Sequence, residues 1–91
     1  MVYLNVRHTV SDYAQWRPIF DEDAARRKAA GASGVTQVYR DMDEPNTITL
    51  ILEWDTAENA NKFAHDPALG AVMQKAGVIG VPAVVAVLSG A

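Results

Sequence analysis

The sequence predicts an α+β fold, a four-stranded antiparallel sheet with two helices packed on one face. Three observations lead there. First, Thr47 to Trp54 alternates Ile48, Leu50, Leu52 and Trp54 with Thr47, Thr49, Ile51 and Glu53. Successive strand side chains point to opposite faces, so one face of this strand is wholly apolar and the other mixed. Second, two segments of helical periodicity, each opened by cap chemistry, alternate with four strand-like segments in the order β-α-β-β-α-β. Third, the chain has 91 residues, nearly half of them hydrophobic, and no cysteine. That is one domain, residues 1–91, with ample apolar material and neither a disulfide framework nor thiolate chemistry.

Taken in order, Val2 to Val10 forms the first strand. Val2, Leu4 and Val6 alternate with Tyr3, Asn5 and Arg7, and His8 shares the parity of Val2 near the strand end. Ser11-Asp12 offers an N-cap, and Gln15 stands three residues beyond Asp12 as in a capping box. A helix follows to about Ala30, with Tyr13, Trp16, Phe20, Ala24 and Arg27 along one side. Pro18 removes a backbone bond and clashes with the preceding turn, so a bend is expected after Trp16, with Pro18 opening the main helix. Gly31 ends it. Glu22 with Arg26 and Asp23 with Arg27 have the spacing and polarity of helical ion pairs, so the Arg26-Arg27-Lys28 run reads as a solvated face in preference to an anion site.

Val35 to Asp41 is the second strand, with Gln37 and Tyr39 on one parity and Thr36 and Val38 on the other. Met42 to Asn46 is a polar hairpin loop. The third strand is Thr47 to Trp54. Asp55 with Glu58 reads as a second capping box, opening a helix to about His65. Asp66-Pro67 breaks and restarts that helix, which carries Leu69, Val72, Met73 and Ala76 inward and ends at Gly77. Val78 to Val81 is an apolar connection, and Ala83 to Leu88 is the last strand. The simplest arrangement is ferredoxin-like, with the first and third strands central.

Several function classes are disfavoured. The net charge of −3 argues against nucleic acid. The longest nearly unbroken apolar run, Val78 to Leu88, falls far short of the roughly 20 residues that span a bilayer. Met1 leads directly into strand-like sequence without a targeting pattern, so the expectation is a cytoplasmic protein with no membrane partner. No Cys/His cluster has metal-ligand spacing, no glycine-rich loop follows a strand, and no serine sits in a nucleophile elbow.

The odd-numbered face of the first three strands collects Tyr3, Asn5, Arg7, Gln37, Tyr39, Thr49, Ile51 and Glu53. Ala83, Val85 and Val87 of the last strand, or their neighbours, are expected to join it. A monomer would leave this surface in water, and contiguous apolar patches of several hundred Å² on small proteins mark interfaces. The expected assembly is a homodimer with its two sheets facing each other around a partly polar interior.

Glu53-Trp54-Asp55 with Glu58, then Phe63-Ala64-His65-Asp66-Pro67-Ala68-Leu69 and Met73, resembles the dimeric α/β-barrel superfamily. More narrowly, it resembles the antibiotic biosynthesis monooxygenase-like domains. Asp12-Tyr13, Trp16 and Phe20 resemble small members of that group. The resemblance covers essentially the whole chain, and its motifs are caps, core aromatics and a helix break. It implies a dimeric α/β barrel and, among the activities of the superfamily, cofactor-free oxygenation of aromatic polyketides, haem degradation or lactone isomerisation. The haem-degrading branch carries a strand-one asparagine, matched by Asn5, but also a tryptophan and an iron-binding histidine ten residues apart. Phe63 and Met73 occupy those positions here, so no cofactor is expected. The cofactor-free oxygenases line their barrels with polar and aromatic residues, parts that Asn5, Tyr39 and Arg7 could take.

Arg7 and Glu53 share the dimer-facing parity on central strands. Buried charges must be paired or neutralised, and a structural pair between these two, or across the dimer, is the favoured reading. The catalytic alternative has Arg7 orient an oxyanion while Glu53 accepts a proton, because an apolar interior raises a carboxyl pKa into a useful range. Asn5 and Tyr39 offer hydrogen bonds to a ligand oxygen or to bound water. Tyr3, Thr49 and Ile51 complete the candidate lining, Tyr3 by packing. His8, at the pocket mouth, is a candidate base. His65, before the helix break, suits the negative end of a helix dipole. Trp16 and Trp54 are assigned to the core. The resulting expectation is a site for an aromatic or polycyclic small molecule, used for cofactor-independent oxygenation or a related proton-transfer step. The alternatives are a non-catalytic binding protein and a dimer whose barrel is filled by its own side chains.

Overall fold

A computed structural model describes residues 1–90. The elements are β1 (Val2–Val10), α1 (Tyr13–Glu22), α2 (Ala24–Ala30), β2 (Ala32–Arg40), β3 (Thr47–Trp54), α3 (Ala57–Ala64), α4 (Pro67–Lys75) and β4 (Val78–Ser89). Each expected helix is thus two consecutive helices. The sheet order is β2-β3-β1-β4, antiparallel throughout, with β1 and β3 central as the sequence predicts.

The alternation in β1 and β3 sets the core. Leu4 lies opposite Leu52 and Val6 opposite Leu50, so their side chains form one apolar surface. The helices cover it with Trp16, Phe20, Ala60 and Phe63, and Trp54 is fully buried with its ring 4.9 Å from that of Phe63. Each such large apolar side chain contributes about 1.5–3 kcal/mol by leaving water.

Local signals were read correctly in kind and sometimes misplaced by a residue. Asp12 caps α1 by accepting from Ala14 N at 3.0 Å. The capping-box bond to Gln15 N is absent among the described residues, where that amide instead bonds Asp12 O. Pro18 does not bend the chain where expected. It is held inside α1, and the break comes at Asp23, whose amide is shared between Ile19 O and Phe20 O. Stacking of Trp16 on Phe20, with centroids 4.8 Å apart, holds one face of α1 together across the proline. The second capping box is also corrected. Thr56, not Asp55, is the cap, accepting from Asn59 N at 3.1 Å, while Asp55 binds the Asn59 side chain. Asp66 and Pro67 open α4 as predicted.

The edge strands depart furthest from expectation. β2 begins at Ala32, three residues early, and its register shifts between Ala32 and Thr36. β4 begins at Val78, so the apolar connection is part of the strand. Its register on β1 shifts between Arg7 and Thr9: Thr9 faces Ile79, and Arg7 faces Val84. The intervening bulge contains Gly80 at φ 67°, a left-handed conformation suited to glycine, and Pro82, which has no amide to give a ladder. The bulge inserts an odd number of residues and reverses the parity. Val84, Ala86 and Leu88 therefore join the Tyr3–Asn5–Arg7 face, and Val85 and Val87 share the helix-covered side with Leu4 and Val6. Those are the neighbours of the residues first assigned to that face.

Candidate functional site

His8 lies in β1 opposite Ile48 and has no partner residue on β4, because the bulge opens there. Its side chain enters the helix-covered layer and is 3 % exposed. The ring meets Trp16 edge-on with centroids 5.8 Å apart. Both Nδ1 and Nε2 are buried without a hydrogen-bond partner. Burial pushes the imidazole pKa below its ordinary value, because the charged form is poorly solvated there.

His8 lines a cavity of about 50 Å³ between the sheet and the helices. Its walls are mostly apolar, and its ionisable lining residues are His8, Asp23 and Arg27. Leu69 and Met73 of α4 also line it, and the same two residues border a neighbouring cleft of about 270 Å³ between α4 and β4. Leu4 and Val6 of β1 line both spaces as well, so these four side chains form the wall common to the cavity and the cleft. α4 contributes no fully buried residue, so it is the helix least anchored in the core.

Arg27 was expected in a solvated ion pair and is instead buried, with 6 % exposure. Its guanidinium lies 4.0 Å from the Phe20 ring centre, and Nη1 donates to Phe20 O at 2.8 Å. Asp23 is taken by Arg26, through two bonds of 2.8 Å. The signal was present in the line Tyr13, Trp16, Phe20, Ala24, Arg27, which already placed Arg27 on the inward side.

The other candidates lie on the opposite face of the sheet. Arg7 does not pair with Glu53 within the chain. The register places Arg7 opposite Thr49 and Glu53 opposite Tyr3, four residues apart along β1, or about 13 Å. Arg7 instead binds Asp41 through both terminal nitrogens, with Nη1 to Oδ1 at 2.9 Å, and donates to Thr49 Oγ1 at 3.0 Å. This contact raises the Arg7 pKa and lowers that of Asp41, through the hydrogen bond first and charge attraction with it. Asp41 was not singled out from the sequence, although it shares the parity of Gln37 and Tyr39. Tyr39 is 55 % exposed at the same end, opposite Thr49. At the other end Tyr3, Ile51 and Glu53 line a groove of about 210 Å³ with Val35 and Gln37. Asn5 lies between the two groups, opposite Ile51 and Ala86, with Oδ1 buried and unpartnered.

The sheet therefore separates His8 from Arg7, Asn5, Tyr39 and Glu53, and a single ligand in the His8 cavity does not meet all of them. His65 ends α3 with Nδ1 2.8 Å from Asn61 O, in the structural position expected of it. Among the described residues, no group of three or more His, Cys, Asp or Glu side chains is arranged to hold a metal. No helix there is long and apolar enough to cross a membrane.

Solved structures described as antibiotic biosynthesis monooxygenases share this fold. A candidate antibiotic biosynthesis monooxygenase from Bordetella bronchiseptica superposes with a TM-score of 0.78 at 14% identity, over 99% of this chain and 96% of that one. SnoaB, a cofactor-independent oxygenase from Streptomyces nogalater, gives 0.72 at 17% identity, over 99% and 92%. Rv0793 from Mycobacterium tuberculosis gives 0.68 at 14% identity, over 99% and 94%. No family model matches the sequence, and no curated protein does.

Proposed function

We propose that this protein is a cofactor-independent monooxygenase of phenolic aromatic compounds, with His8 as the base. The observation that carries this reading is a buried imidazole, unpartnered at both nitrogens, in the wall of an apolar cavity. An unsatisfied polar group in a core costs free energy, and a ligand hydroxyl would satisfy it. Burial keeps His8 neutral at pH 7, the state in which it accepts a proton. The likeness to SnoaB in fold supports the same reaction class.

His8 takes the phenolic proton, leaving an electron-rich phenolate. The phenolate gives one electron to O2, the radical pair combines to form a C–O bond at the para carbon, and the proton held by His8 returns to the peroxide anion. Loss of water from the resulting hydroperoxide breaks the O–O bond and leaves a quinone. One oxygen atom enters the product and the other leaves as water, so the substrate supplies every electron.

The cavity of about 50 Å³ is smaller than a ring system requires. Entry therefore needs Leu69 and Met73 to part, joining the cavity to the cleft beside α4. The opposite face we assign to a homodimer interface. The exposure of Tyr39, Val35 and Leu88 supports this.

Oxygen uptake with 1-naphthol and related phenols tests the reaction. Uptake matched by quinone formation, and lost in His8→Leu, is expected. Binding without uptake would leave a non-catalytic ligand-binding protein, and neither would leave a structural dimer.

A further inference from the structure

Arg27 is the only charged side chain buried in the core among the described residues. Its hydrogen bond to Phe20 O uses Nη1. The edge formed by Nε and Nη2 makes no hydrogen bond among the described residues, and no carboxylate lies within 4.0 Å of the guanidinium. The nearest acid in sequence, Asp23, is committed to Arg26. Asp23 and Asp21 attract the guanidinium only from beyond 4.0 Å while burial opposes its charge, so this buried arginine has no directly bonded counter-ion and is an expensive arrangement unless something anionic comes to it.

Its position relative to His8 is specific. His8 meets Trp16, Trp16 stacks on Phe20, and Arg27 covers Phe20, so the base and the cation stand at opposite ends of one aromatic row along the cavity. The free Nε–Nη2 edge has the forked geometry that matches a carboxylate with two parallel bonds.

We propose that Arg27 anchors a carboxylate of the ligand, so that the substrate class is a hydroxylated aromatic acid whose hydroxyl and carboxylate lie at opposite ends of the ring system. This rests on the cavity reading above. Arg27 is then a binding and specificity residue, selecting acids and turning the hydroxyl toward His8.

The test compares 6-hydroxy-2-naphthoate with its neutral amide, 6-hydroxy-2-naphthamide, by ligand fluorescence at pH 7.5. The wild-type protein is expected to bind the acid at least tenfold more tightly than the amide. Arg27→Gln should bring that ratio close to one, and Lys28→Gln, which alters an exposed neighbouring cation, should leave it unchanged. Equal binding of acid and amide by the wild-type protein would overturn the role of Arg27 while leaving the cavity reading intact. Binding of neither compound would remove both. The wild-type ratio needs no variant, so a folding defect in Arg27→Gln does not shelter the proposal.

Discussion

Replacing His8 with leucine should make the protein more stable and abolish the proposed oxygenase activity. A neutral imidazole carries one donor and one acceptor, and neither has a partner here. A buried polar group left unsatisfied costs about 1–3 kcal/mol. Leucine has similar bulk and no polar atom, so it removes that cost within a wall that is already apolar. We expect a gain of about 1–3 kcal/mol at pH 7, or a Tm increase of roughly 4–8 °C for each kcal/mol in a domain of this size. The pH dependence supplies a second signature. The folded-state pKa of His8 lies below the ordinary 6.5. The unfolded chain therefore binds the proton first as pH falls, and this contribution to stability is lost from about pH 6.5 downward, at no more than about 1.4 kcal/mol per pH unit. His8→Leu should lack this part of the acid slope. Urea unfolding from pH 5 to pH 8, at one fixed protomer concentration, measures both effects. A variant less stable than wild type at pH 7, with an unchanged slope, would show that His8 is a satisfied structural residue.

Other consequences concern the scaffold and the assembly. Gly77 has φ 86°, and a Cβ there would meet Ser11 Oγ at 2.6 Å, so Gly77→Ala should cost more than about 1 kcal/mol in thermal or urea unfolding. Gly70 lies inside α4 with open space at its Cβ position, so Gly70→Ala should stabilise by about 0.4–1 kcal/mol in the same assay. Thr56→Ala removes the α3 cap and should cost about 1 kcal/mol, measured by urea unfolding. Ile51→Lys places a charge at the centre of the face assigned to the dimer. It should yield a monomer by sedimentation equilibrium, whereas an unchanged mass would place the interface elsewhere.

What could be read from the chain follows the physics of each feature. β1 and β3 were legible because both are central strands whose alternation is enforced by burial on one face. The β4 facing was not, because the bulge at Gly80–Pro82 reverses parity without disturbing the apolar composition on either side. The helix starts were visible as cap residues, but Asp55 and Thr56 are both good caps, and only the backbone geometry chooses Thr56. At the site, periodicity placed His8 under the helices and Arg7, Asn5 and Glu53 on the other face. What it could not convey was distance along the strand, which rules out the Arg7–Glu53 pair within the chain and gives Arg7 to Asp41. Arg27 was misjudged because sequence spacing offers Asp23 as its partner, while the fold gives Asp23 to Arg26 and turns Arg27 inward over Phe20.

The most direct measurement is a two-dimensional nitrogen-15 spectrum of the imidazole rings during titration with 6-hydroxy-2-naphthoate. The chain has only two histidines, His8 and His65, so the ring signals are assignable with a single His65 variant. Saturable shifts of both His8 ring nitrogens, with His65 unmoved, are expected if the ligand enters the cavity beneath the helices. Binding that leaves His8 unchanged and perturbs Tyr3 and Tyr39 would place the ligand on the opposite face of the sheet and contradict His8 as the base.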